Sequence, residues 1–169
     1  MKSEVTKLVT FRLGEDLFAA DIFAVERVLR YQTPTAVPDA PPWIEGMIEY
    51  QSRVLPVINL RRRFELPPIP PAAETRILVL NSGGEWVGAV VDAVLEVTSV
   101  DPAQLSAPPV LFRGLAGEYL KGIVRRADGA GADRLVIVLD ADRLLSATDR
   151  IALDTSAMRG APAGAVIDG

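Results

Sequence analysis

Residues 43–64 read WIEGMIEYQSRVLPVINLRRRF, and what this stretch becomes decides the fold. Ile44, Met47 and Ile48 precede a polar break, and Val54, Leu55, Val57 and Ile58 follow it. The second run is short, β-branched and bounded by polar residues, which favours strand over helix. The stretch therefore predicts a strand, a tight reversal, a second strand and a short helical turn. Pro56 lies inside the second strand. Proline cannot donate to a ladder, so this strand is expected at a sheet edge or with a bulge there. Asn59 is placed to cap a helical turn over residues 60–64 by accepting a free backbone N–H.

The stretch then returns. Residues 119–124 (YLKGIV) match 43–48 (WIEGMI), aromatic for aromatic and Gly122 for Gly46. Residues 134–145 (RLVIVLDADRLL) match 53–64, with Asp140 falling on Asn59. Upstream, Leu8 aligns with Ile77, Gly14 with Gly83 and Val25 with Val94, each pair 69 positions apart. The separation grows to 76 at the aromatic-x-x-Gly segment and 81 at the last strand. Loop insertions of a few residues account for both steps, since surface connections tolerate them. The chain reads as two copies of one small β unit, residues 5–66 and 74–147, fused and diverged.

Composition narrows the function. A chain of 169 residues suits one domain or two packed small ones, and 49% hydrophobic content supports a core without metal or disulfide. A net charge of −4 argues against nucleic acid or an anionic membrane as the main partner. There are no cysteines, consistent with a reducing compartment. No apolar run is long enough to span a bilayer and no signal peptide precedes the first strand, so a cytoplasmic protein without direct membrane insertion is expected. The chain has no histidine, which excludes His-dependent triads, histidine metal sites and phosphohistidine relays. Ser82-Gly83-Gly84 joins strand to strand, so it reads as a hairpin turn and not a phosphate loop. No catalytic, cofactor or metal site is expected, and an enzyme is disfavoured.

In chain order, residues 5–13 and 17–20 read as a hairpin turning at Gly14. A helical turn is expected at residues 22–24 and a strand over 25–31. Residues 33–42 (TPTAVPDAPP) form an extended proline loop, and residues 65–74 (ELPPIPPAAE) a stiff connector between the copies. Residues 76–81 and 85–95 read as the second hairpin, continuing as strand to Val100. Asp101-Pro102 starts a helical turn by N-cap and proline at N1. A Pro/Gly loop over 107–117, a hairpin tip at 127–133, a terminal helix from Asp142 and a disordered tail at 157–169 complete the reading. Each copy supplies about five short strands, and a sheet of that size gains by curling closed and hiding its edges. Two small barrels sharing a core are the economical arrangement. Arg61-Arg62-Arg63 would point three ways from one helical turn, as a solvated face or salt-bridge partners, and Trp43 and Trp86 are assigned to core or inter-barrel packing.

Six segments in this order resemble the CheW family of bacterial chemotaxis coupling proteins. They are FRLG (11–14) with AADIFAVERVLRY (19–31), IEGMI (44–48), RVLPVINLRRRF (53–64), VGAVVDAVLEV (87–97), EYLKGIV (118–124) and RLVIVLDADRLL (134–145). The resemblance runs from about residue 5 to 150. It implies an all-β fold with short helices, two intertwined five-stranded SH3-like barrels in which the first strand can complete the second barrel. It further implies a non-catalytic adaptor that binds the regulatory domain of a CheA-like histidine kinase and the cytoplasmic hairpin tip of a chemoreceptor. The receptor groove of the family involves the strand matching Val25 to Leu29. Val25 and Val28 are thereby candidates for apolar contacts and Arg27 for the rim, although ordinary core packing accounts equally well for the two valines. Arg27 stands where the family often carries an acid. At Glu49, Tyr50, Gln51 and Ser52 the family commonly reads Asn-Leu-Arg-Gly. The turn arginine becomes Gln51, the turn glycine becomes Ser52, and Arg53 is offered as a displaced substitute. Those departures point to a divergent chemosensory pathway. The competing reading is a stand-alone β-barrel scaffold or small-ligand-binding module.

Overall fold

The structure, a computed structural model, describes residues 5–107, 119–127 and 133–144. The loop over 107–117, the tip at 127–133, any helix beyond Leu144 and the tail at 157–169 fall wholly or mostly outside these residues. Eleven strands are described: β1 Thr6–Leu13, β2 Asp16–Asp21, β3 Val25–Arg30, β4 Ile44–Tyr50, β5 Arg53–Asn59, β6 Arg76–Ser82, β7 Glu85–Val91, β8 Ala93–Val100, β9 Leu105–Ser106, β10 Leu120–Ala127 and β11 Asp133–Leu139. Short helical turns lie at Ile22–Ala24, Leu60–Arg63 (α1), Pro102–Gln104 and Ala141–Arg143.

The strands form two sheets. One runs β8-β1-β2-β11-β10-β9 and the other β3-β6-β7-β5-β4. Set against the duplication, the arrangement is a reciprocal exchange. The first hairpin of copy one (β1–β2) sits among strands of copy two, and the first hairpin of copy two (β6–β7) sits among strands of copy one. The expected contribution of the first strand to the second barrel thus extends to the whole hairpin, and the reverse also holds. Matching parallel junctions join the pieces: Val136 to Val138 pair with Leu17 to Ala19, and Val57 to Asn59 pair with Gly88 to Val90. The two-residue β9 is the sixth strand beyond the expected five. Its counterpart in the other copy is a single bridge between Thr35 and Met47.

Three cores follow from this layout. Leu8, Ala19, Val100, Val124, Val136 and Val138 fill the six-stranded barrel. Ile48, Tyr50, Leu55, Val57, Ile77 and Val79 fill the other, with Leu29 and Tyr31 packed against them. Between the barrels lies a shared core of fifteen buried residues, among them Phe11, Leu13, Phe18, Ile58, Leu60, Leu78, Leu80, Tyr119, Leu139 and Leu144. The shared core exceeds either barrel's own, so separating the barrels exposes the largest apolar surface in the molecule.

Gly46 and Gly122 explain why the aromatic-x-x-Gly segment repeats. A Cβ on Gly46, whose φ is +153°, would lie 2.4 Å from the Thr35 carbonyl oxygen; one on Gly122 would lie 2.6 Å from that of Ser106. Both glycines sit at bulges where β4 and β10 are crossed by the preceding segment. Asn59 caps α1 by accepting from the Arg62 N–H at 3.1 Å, and Asp140 accepts from the Asp142 N–H at 3.1 Å.

Two expectations need correction. Pro56 does not mark an edge: β5 lies between β7 and β4, and the bulge is on β4 at Gly46. Met47, opposite Pro56, donates its N–H to the Thr35 carbonyl and accepts the Thr35 N–H at its own carbonyl, each at 2.8 Å. The pair is therefore a non-hydrogen-bonded one, and the β7 ladder starts only at Val57, so the missing N–H forfeits no bond. The strand expected over 85–95 is also broken at Asp92, where the chain leaves one sheet for the other within a single residue.

Candidate functional site

On β3 the ladder to β6 skips Glu26, between the pairs Val25–Leu80 and Arg27–Val79. A bulge re-aims the residues beside it. Val25 turns inward and packs, half-buried, on the shared core, whereas Arg27 is exposed and Val28 is 42% exposed. The two valines assigned together thus part company: Val25 packs as core and Val28 stands in solvent. β8 bulges at the matching place. There the buried Thr10 hydroxyl donates to the Glu96 carbonyl at 2.7 Å and accepts from the Glu96 N–H at 3.0 Å.

The β4–β5 turn holds the other candidates. Gln51 and Ser52 have φ of +50° and +61°, so both central residues occupy the left-handed region without a glycine. Glu49, Gln51, Ser52 and Arg53 are all exposed, and Glu49 is the cross-strand partner of Val54. Arg53 lies over the Trp86 ring at 4.5 Å, and Trp86 packs at 5.5 Å on Tyr50. The Arg53 guanidinium is therefore held against Trp86, with its donors at the rim. No strand pairing links this turn to β3, although Leu29 of β3 packs on the same core as Ile48, Tyr50 and Leu55.

The sequence reading missed Phe23. It lies in the turn Ile22–Ala24 and is 94% exposed, while Asp21 caps the turn by accepting the Phe23 N–H at 2.9 Å. Phe23 borders a recess of about 240 Å³ lined by Asp21, Asn81, Lys121, Leu139, Asp140 and Asp142. At an offset of 69, Phe23 matches Asp92 at the other crossover, but Asp92 is buried, so no local pattern in the sequence marks Phe23 as exposed.

Asp92 shows what that crossover is for. Its carboxylate accepts the Gly14 N–H at 2.6 Å and two bonds from Arg61, at 2.5 and 3.2 Å, and both side chains are nearly buried. Burial pushes the Asp92 carboxyl up. The hydrogen bonds from Arg61 and the Gly14 N–H, with the charges of Arg61 and Arg12, outweigh it and hold the pKa below the ordinary carboxylate value. In the other copy, Asp142 accepts the Gly83 N–H at 3.0 Å. The remaining arginines diverge as expected in direction but not in exposure: Arg62 is exposed, whereas Arg63 is buried between Trp43 and Tyr119. Among the described residues no group of three or more acidic, His or Cys side chains is set to hold a metal, and no helix is long and apolar enough to cross a membrane. Asp21, Asp92, Asp140 and Asp142 are occupied in turns, caps and inter-element ties. The exposed features are apolar side chains and charged rims, which suit protein contacts.

The comparisons agree with this geometry. The CheW-like domain matches residues 7–149. The chain belongs to the CheW family. Among relatives, the chemotaxis protein CheW of Treponema pallidum is 31% identical over 153 residues, covering 88% of this chain and 87% of its own. Protein FrzA of Myxococcus xanthus is 30% identical over 135 residues, covering 80% and 82%. The crystal structure of the scaffolding protein TtCheW from Thermoanaerobacter tengcongensis superimposes with a TM-score of 0.76 at 28% identity, covering 88% of this chain and 92% of that one. The all-β CheW fold is thereby established, and with it the role of a chemotaxis scaffold.

Proposed function

We propose that this CheW-family chain is a non-catalytic adaptor joining chemoreceptors to a CheA-type histidine kinase, in a pathway that has diverged from the flagellar one. The observation that carries the reading is the line of open side chains from Phe23 to Val28. Phe23 is 94% exposed, the most open of the large apolar side chains among the described residues, and Val28 is 42% exposed beside the exposed Arg27. Exposed aromatic and aliphatic side chains beside a charged rim are the composition of interface hot spots. The receptor's helical hairpin tip docks along this line, with Val28 and Phe23 as apolar anchors and Arg27 at the rim. The divergent pathway is supported by the β4–β5 turn, where Gln51 and Ser52 offer neither the planar cation nor the glycine usual in the family.

A pull-down with two separate baits tests the proposal: a receptor hairpin and the kinase regulatory domain encoded nearest this gene. Phe23→Asp combined with Val28→Asp lowers hairpin capture by roughly tenfold or more and leaves kinase capture unchanged. If the doubly substituted chain holds the hairpin as well as the parent does, the receptor assignment is wrong. If the parent captures neither bait, the adaptor role fails.

A further inference from the structure

The residue that the adaptor reading leaves unused is Arg63. It is only 8% exposed, although α1 is a single turn and the adjacent Arg62 is exposed. Its guanidinium lies 4.1 Å from the centroid of Trp43 and 4.8 Å from that of Tyr119. Those rings are the matching aromatics of the duplicated aromatic-x-x-Gly segment, one from each copy. Each is fixed by the same backbone bond: the Trp43 carbonyl accepts the Asn59 N–H at 2.8 Å, and the Tyr119 carbonyl accepts the Asp140 N–H at 2.8 Å. Arg63 also donates to the Leu144 carbonyl at 3.2 Å, and Leu144 is the residue that matches Arg63 in the second copy. The cation thus contacts matching segments of both halves, Trp43 from one and Tyr119 and Leu144 from the other. From Tyr119 a column of rings continues through Phe64, Phe18 and Phe11, with successive centroids 6.1, 5.7 and 5.9 Å apart.

We propose that Arg63 is an inter-barrel clamp that couples the order of β4 in one barrel to that of β10 and the turn Ala141–Arg143 in the other. A planar cation can lie against aromatic rings while its edge donates to a carbonyl, which an ammonium cannot do simultaneously. In a buried site each contact is worth more than at the surface, so loosening one ring weakens the hold on the other. A partner that orders one barrel is therefore felt in its neighbour through this side chain, without any hinge loop. The clamp does not depend on which partners the barrels bind.

Native-state hydrogen exchange on the full chain tests the clamp with Arg63→Met, which keeps the length without the charge, and Arg63→Lys, which keeps the charge without the plane. Both variants are expected to speed exchange about tenfold in residues 44–50, in 120–127 and in 141–144 together, while the β6–β7 hairpin stays slow. A double-mutant cycle adds a readout that global destabilisation does not mimic. Trp43→Leu and Tyr119→Leu are non-additive in the parent and additive in Arg63→Met. Faster exchange confined to α1, an equal rise everywhere including β6–β7, or additivity in the parent would each overturn the clamp. Should Arg63→Met not fold, Arg63→Lys alone decides by the same pattern.

Discussion

At the scale of single residues, the structure turns sequence identities into steric requirements. Gly46 and Gly122 are glycines because another backbone passes where a side chain would stand, and their recurrence in both copies has that cause. Gly46→Ala or Gly122→Ala should each destabilise by about 3 kcal/mol, read as a lower urea midpoint. Ser52 shows the opposite case, a residue tolerated where glycine is easier. With φ at +61°, Ser52→Gly should stabilise by about 0.5–1 kcal/mol, the left-handed strain it relieves exceeding glycine's greater chain entropy. An unchanged or lower melting temperature would count against a strained turn. Phe23 was the residue hardest to read. Hydrophobicity alone assigns a phenylalanine to the core, and only the structure, with Phe23 in the turn Ile22–Ala24 between the sheets, shows it open.

Elements are held together by side chains that reach across the exchange. Arg61 on α1, Asp92 at the β7–β8 crossover and Gly14 in the β1–β2 turn tie three elements and both sheets at one point. Arg61→Met leaves a buried carboxylate without its cation and should cost about 3 kcal/mol. The pH dependence has a definite sign. The folded pKa of Asp92 lies below its unfolded value, so its contribution is complete above the unfolded value and fades as pH falls through the folded one. Measured stability of the parent relative to Asp92→Asn should therefore be constant above about pH 5 and shrink on acidification. A gap that widens on acidification would contradict the tie. Strand positions, the caps at Asn59 and Asp140 and the turns were legible in the chain because each is encoded locally. Partner choice was not, because β1–β2 and β6–β7 carry the same sequence pattern. What selects between them is the one-residue crossover at Asp92 and the three-residue turn at Ile22–Ala24. Pro56 misled for a related reason: a proline forbids one hydrogen bond, and only the register shows that no bond was due there.

For the whole molecule, the exchange makes each copy incomplete alone. Fragments 5–66 and 74–147 each lack the hairpin that fills their barrel, and each would expose half of the shared core. Neither should give a dispersed amide spectrum by itself, and the mixed pair should. A fragment that folds alone would show that the exchange is dispensable. The two strand-rich sheets were legible from the short alternating segments, and the family from motifs in register. Of the candidate contact residues, Arg27, Val28, Glu49, Gln51, Ser52 and Arg53 are exposed and Val25 is half-buried, a difference set by the β3 bulge that no local pattern encodes.

The adaptor role is tested most directly by co-sedimentation of the CheA-type kinase with vesicles bearing receptor hairpins, with and without this chain. Kinase should pellet with the vesicles only when the chain is present, and Phe23→Asp with Val28→Asp should return it to the supernatant. Kinase that pellets equally without the chain, or stays in solution despite it, contradicts the adaptor.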